Sequence, residues 1–192
     1  MIQQLETPIQ DRCITLYSFS WDRFEAIASL LENHPVRLTY LDGTVEIMAF
    51  SPEHEESKKT IGLLLETYLR FIGIRFYSRG GYTLGSHEVG ARGEPDESYN
   101  LETKKDIPDI AIEVVTTSGG IDKLEKYRRW GVPEAWFYQN QQLFIYHLRS
   151  TGYEQVTRSE LLPELDLYLF VQCLSITDQY DATIAFSEAL RL

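Results

Sequence analysis

The sequence predicts an α/β fold of the mixed α+β kind, with a central mixed sheet flanked by helices. Two observations carry that prediction. Apolar residues recur at helical spacing in four separated segments, with strand-like runs between them, and the run "IPDIAIEVV", residues 107–115, reads as the most apolar strand of the chain. The composition of 192 residues, 43% hydrophobic and 24% charged, is that of a globular protein. A single domain over 1–192 is expected, with a core over about 20–150 and a strand and helix extension over 151–192.

Ser20 is a candidate N-cap for a short helix in which Phe24, Ile27, Ala28 and Leu31 share a face. "VRLTY" and "TVEIMA" then form a hairpin around Leu41-Asp42-Gly43, because Asp-Gly favours a tight turn. Ser51-Pro52 opens the longest helix, with Glu53, Glu55 and Glu56 near its positive end; Ile61, Leu64, Leu65, Tyr68 and Ile72 form its apolar face, and Gly73 stops it. Short strands "IRFY" and "YTLG" follow, then a loop with Gly90 and Gly93 that leads into "EPDESYN". After the 107–115 strand, "TTSGG" turns the chain into a helix around 121–130, ended by Gly131-Val132-Pro133. "EAWFYQ" and "QLFIYHL" pair as antiparallel strands, "GYEQV" extends them, and Thr177 begins a terminal helix carrying Ile184, Phe186 and Leu190.

No apolar run reaches the roughly 18 residues needed to span a bilayer, and "MIQQLETPIQDR" lacks the pattern of a signal peptide, so a cytoplasmic protein without a membrane partner is expected. Cys13 and Cys173 read as reduced thiols. A formal charge of -11 argues against a general nucleic-acid binder. Arg70, Arg75, Arg79 and Arg92 nevertheless leave room for a local basic surface.

Asp109 and Glu113 interrupt the apolar strand, where an unpaired carboxylate would cost several kcal/mol. They share a face but lie about 13 Å apart at strand rise, too far to hold one cation. Asp96 in "GEPDES" is the better partner for Glu113, since neighbouring strands run about 4.8 Å apart. Glu55 or a neighbouring acid could add a third carboxylate, and such oxygen donors suit Mg²⁺, with Mn²⁺ as the alternative ion. Lys123 or Lys126, opening the next helix, could reach back over Glu113. The ordinary alternatives are a surface turn for Asp96, a salt bridge to Lys104 for Glu113 and solvated helix positions for the lysines. His54 reads as a helix-cap residue rather than a ligand.

"SPEHE" at 51–55, "EPDESY" at 94–99, "PDIAIEVV" at 108–115 and "GGIDKLEKYRRWGVPEAWFY" at 119–138 resemble the Uma-type (Uma-two) family, restriction-endonuclease-like proteins of the PD-(D/E)XK nuclease superfamily. The similarity runs from about residue 20 to the end of the chain. It implies a restriction-endonuclease-like core, metal-dependent hydrolysis of phosphodiester bonds, and nucleic acid, DNA first, as partner. It also implies that Asp96 and Glu113 bind the cation. The superfamily's lysine normally stands two residues after the acidic residue, where this chain has Val115. In the Uma-type pattern a lysine of the next helix takes over, and Lys123 matches it better than Lys126; Glu55 is carried over from the first-helix motif. An inactive scaffold used as an interaction module is the alternative. The aromatic residues Trp136, Phe137, Phe144 and Tyr146 fit either a homodimer surface or the core.

Overall fold

A computed structural model describes residues 10–116 and 122–192. Eleven strands and five helices are found among them, and the strands form two sheets. Sheet one has the order β1-β3-β2-β6-β5, from β1 (Arg12–Leu16), β2 (Arg37–Leu41), β3 (Thr44–Ala49), β5 (Leu84–Ser86) and β6 (Ala91–Gly93), all antiparallel. Sheet two has the order β11-β10-β9-β8-β7-β4, from β4 (Phe76–Ser78), β7 (Glu97–Leu101), β8 (Ile110–Val114), β9 (Glu134–Gln139), β10 (Gln142–Arg149) and β11 (Gly152–Val156). Only β8 and β9 in it are parallel, and α3 (Lys123–Trp130) lies between them in the chain.

The mixed α+β class expected from the sequence is found, but its strands divide into two sheets rather than joining one. The break falls after Gly93. Pro95 has no N–H to continue a ladder, so the chain leaves sheet one at β6 and enters sheet two at β7.

Local chemistry accounts for most boundaries. Asp42 and Gly43 take φ of 44° and 83°, the twist a two-residue hairpin needs. Ser51 caps α2 (Pro52–Phe71) by accepting from the His54 N–H, and Gly73 leaves that helix at φ 74°. Asp122 caps α3, and Gly131 ends it in the left-handed region. The 116–120 turn falls mostly outside the described residues. The terminal helix starts slightly later than expected, with Asp178 capping α5 (Gln179–Ala189).

Three elements were not anticipated. The strand β1 pairs with β3, β6 stands where a loop with Gly90 and Gly93 was expected, and α4 (Leu167–Leu174) packs with α2 and α5.

Strand β8 is buried throughout and its faces differ. Ile110, Ile112 and Val114 pack with Ile61, Leu64 and Leu65 of α2 and with Phe170 and Phe186 of the last two helices. Ala111 points the other way, with Tyr127 and Trp130 of α3 and Ala135 of β9. Alternation therefore turns Glu113 toward α3. Trp136 is wholly buried in the first of these cores, so it belongs to no surface; Phe137, Phe144 and Tyr146 are half-buried. Among the described residues no helix is long and apolar enough to cross a membrane.

Candidate active site

The site forms where the two sheets meet. The Asp96 N–H donates to Ile112 O at 3.0 Å, and Asp96 Oδ2 accepts from the Val114 N–H at 2.7 Å. These bonds bracket Glu113 and continue the register that pairs Glu97 with Ile112, so Asp96 stands opposite Glu113. Asp96 is 1% exposed, which excludes a surface turn.

Glu113 is 2% exposed and held from α3. Lys123 Nζ lies 2.8 Å from Oε2, Lys126 Nζ lies 3.0 Å from Oε1, and the Tyr127 hydroxyl donates to Oε1. Positions 123, 126 and 127 share one face of a helix, which explains why three side chains converge on one carboxylate. Lys104 takes no part. Burial alone would raise the Glu113 pKa, but the two ammonium groups outweigh it and hold the carboxyl ionised. The lysines respond differently. Glu113, Asp96 and Glu46 overcome burial to raise the pKa of Lys123, whereas burial, together with Lys123 and Arg37, lowers that of Lys126. The Lys123 side chain is 18% exposed, and that of Lys126 only 2%.

Three partners had escaped the sequence reading. The Arg37 guanidinium, from β2, pairs with Asp96 Oδ1 and lies over the Phe50 ring, 4.4 Å from its centroid. Asp11 precedes β1 and is buried. Its Oδ1 accepts from the Ser51 N–H at 2.7 Å and from the Ser51 hydroxyl at 2.9 Å, while Oδ2 accepts from the Thr116 hydroxyl and meets His54 Nδ1 at 2.8 Å. His54 is 1% exposed, so it is no simple capping residue. Its Nε2 lies 3.0 Å from Asp96 Oδ1, yet it lacks the alignment of a hydrogen bond and has no other partner. Burial resists protonation of His54, but Asp96 and Asp11 more than offset this and raise its pKa. Asp96 is held far below the usual carboxylate range because His54, Arg37 and Lys123 outweigh burial.

Asp96, Glu113, Lys123 and Lys126 are thus brought together. Glu55 is not: it faces outward, with Lys58 Nζ 2.5 Å from its carboxylate. The inward residue of that helical turn is His54. Asp109 is not part of the site either, since it accepts from the Leu101 N–H at 2.7 Å and from Lys105. The spacing of His54 from its cap Ser51 was a readable signal, but nothing local to Asp11 or Arg37 reveals partners so distant in the chain.

A cavity of about 20 Å³ touches Arg37, Glu46, Glu113, Lys123 and Lys126, enough for one water or small ion. A polar cleft of about 370 Å³ opens beside Asp11, Ser51, Thr116 and Asn140. Among the described residues no three carboxylate, imidazole or thiolate groups converge to enclose a cation.

The fold and the paired carboxylates define a mixed α+β protein with a restriction-endonuclease-like core. Residues 21–179 match the model of the Uma2 family, described as "Putative restriction endonuclease", and the chain belongs to that family. No curated protein matches the sequence.

Proposed function

We propose that the chain is a divalent-cation-dependent endonuclease that hydrolyses phosphodiester bonds of DNA. The observation that carries the reading is the opposition of Asp96 and Glu113 on neighbouring strands, with Lys123 Nζ 2.8 Å from Glu113. The two carboxylates offer oxygen donors of the kind Mg²⁺ or Mn²⁺ takes, and a water-sized cavity borders Glu113. Asp96 and Glu113 would hold the ion, which when bound polarises a phosphoryl oxygen and acidifies a water.

The chain's own groups supply the remainder. Lys123, with its raised pKa, stays an ammonium at neutral pH, so it acts by stabilising negative charge on the phosphoryl oxygens rather than as a base. Tyr127 and Lys126 fix the Glu113 carboxylate. Arg37 balances Asp96.

One observation favours a second reading, a catalytically inactive module on the same scaffold. Every oxygen of Asp96 and Glu113 already has a partner within the chain. Calorimetric titration of Mg²⁺ and Mn²⁺ into wild type, Asp96→Asn and Glu113→Gln, with plasmid nicking on the same samples, separates the two. The expected result is binding and nicking in wild type, with both lost in each folded variant. Ion binding without nicking would establish the inactive module.

A further inference from the structure

We propose that the β4 edge of sheet two holds an unpaired nucleic-acid strand, with its phosphates on Arg75, Arg79 and Lys104 and a base stacked on Tyr77. The inference rests on the nuclease reading above and adds to it the class of substrate, a strand whose bases are free. It takes up the basic stretch noted in the sequence: residues 67–87 contain no Asp or Glu, in a chain whose formal charge is -11.

Strand pairing decides which way these side chains point. Tyr77 stands opposite Asn100 of β7, and the Arg79 N–H continues the ladder to Ser98 O at 2.8 Å. Residues directly opposite share a face, so Tyr77 and Arg79 lie on the face of Asn100 and Ser98. Alternation makes this the face of Asp96 and, across β8, of Glu113. Phe76 turns the other way and packs with the core under α2. Arg79 stands two residues along the ladder from Asp96, about 7 Å at strand rise. Beyond it the edge is bare. A Cβ at Gly81 would stand 3.7 Å from Arg37 Nη2, so the edge leads to the guanidinium that pairs with Asp96.

The positive charge at this edge is uncompensated. Arg70 is neutralised by Glu66 and Lys105 by Asp109, but among the described residues Arg75, Arg79 and Lys104 form no ion pair, not even with Glu102 and Asp106 of the adjoining loop. Arg79 is positioned by neutral acceptors instead, donating to Asn100 Oδ1 at 3.2 Å and to Lys105 O at 3.0 Å, with its guanidinium 4.1 Å from the centroid of the Tyr82 ring. An arginine fixed in place with its charge free suits a phosphate. Tyr77 and Tyr82 are each 39% exposed between these cations. Aromatic and basic side chains interleaved in this way suit a single strand, because an unpaired base can stack on an open ring whereas a duplex keeps its base faces closed.

The test is fluorescence anisotropy of the full chain with a labelled oligothymidylate and with the matching duplex, over a salt series, in EDTA so that no strand is cut. Wild type is expected to bind the single strand roughly 10-fold more tightly than the duplex, the gain from one stacked base. Tyr77→Ala should weaken binding about 5- to 150-fold, and Tyr77→Phe should bind like wild type. Arg75→Gln with Lys104→Gln should lower the slope of log affinity against log salt by about 1.4, at roughly 0.7 per phosphate contact. Arg23→Gln with Arg158→Gln removes the same charge from exposed positions elsewhere and should leave the slope unchanged. Equal effects of the two double variants, or duplex bound as tightly as the single strand, would overturn the proposal. So would sedimentation showing a wild-type dimer that Arg75→Gln with Lys104→Gln disperses, which would make the edge an interface between copies. Cleavage is read separately with Mg²⁺ or Mn²⁺ added. Cleavage without binding at this edge would overturn the proposal and leave the nuclease reading intact, and binding at this edge without cleavage would do the reverse. Neither binding nor cleavage would overturn both.

Discussion

Lys123 and Lys126 hold the same carboxylate, yet their surroundings assign them different work. Lys126 is enclosed, its ammonium 4.7 Å from the centroid of the Tyr127 ring and 5.2 Å from that of Trp130. Replacing it strips one cation from a buried carboxylate, and Lys126→Met should destabilise the fold by about 3 kcal/mol in urea unfolding. Lys123 borders the small cavity and is partly open. Lys123→Met takes the other cation from that carboxylate, and its distinguishing effect should be on plasmid nicking, which falls roughly 10²- to 10³-fold under conditions where the variant is folded. The reverse pattern would exchange their roles. Strand alternation made the face of Glu113 legible and pointed to Asp96. It could not show that Asp109, in the same run, accepts instead from the Leu101 N–H at the end of β7 and from Lys105. Nor could local pattern find Asp11 or Arg37 as partners, because their contacts depend on how distant segments are stacked.

Among the elements, β5 depends on a glycine for close packing. Gly85 has φ 92°, and a Cβ there would meet Ala91 O at 2.0 Å and Trp130 Nε1 at 2.4 Å. Backbone and an indole cannot yield that far, so Gly85→Ala should unpair β5 from β6 and lift α3 off sheet one. The expected loss is several kcal/mol, read as a lowered thermal midpoint with increased hydrogen exchange in β5, β6 and α3. A near-normal midpoint would mean that this packing is not needed. The turn at Asp42-Gly43, the cap at Ser51 and the stop at Gly131 were all legible because their chemistry is local. The helix α4 was not, since "LYLFVQCL" is a short apolar run that suits strand and helix alike. Tertiary packing against α2 and α5 decides it.

Across the whole molecule, α3 ties sheet two to the β2–β3 turn of sheet one. Glu125 accepts from Arg128 at 2.6 and 2.7 Å and from Arg129 at 2.8 Å, and Arg129 donates onward to Asp42 at 2.7 Å. The hydrogen bonds from Arg128 and Arg129 lower the Glu125 pKa from 4.5 to about 2. Because the folded pKa is depressed, its stabilisation is complete above about pH 4.5 and is lost as pH falls through about 2. Glu125→Gln should therefore flatten part of the acid-induced loss of stability in that window, by less than about 1 kcal/mol for so exposed a network. Identical urea midpoints for wild type and variant at every pH would refute this linkage. The division into two sheets was not visible in the sequence, because each short strand fits an edge or a centre and only long-range pairing chooses. That pairing also sets a timetable for synthesis. The Asp11–Thr116 bond spans 105 positions, and α2 is covered by α5, the last of the described elements to leave the ribosome. A growing chain carries Asp96 well before it carries Glu113, and both before the cover on α2 exists. For the nuclease proposed above, cutting power would thus arrive only near the end of translation.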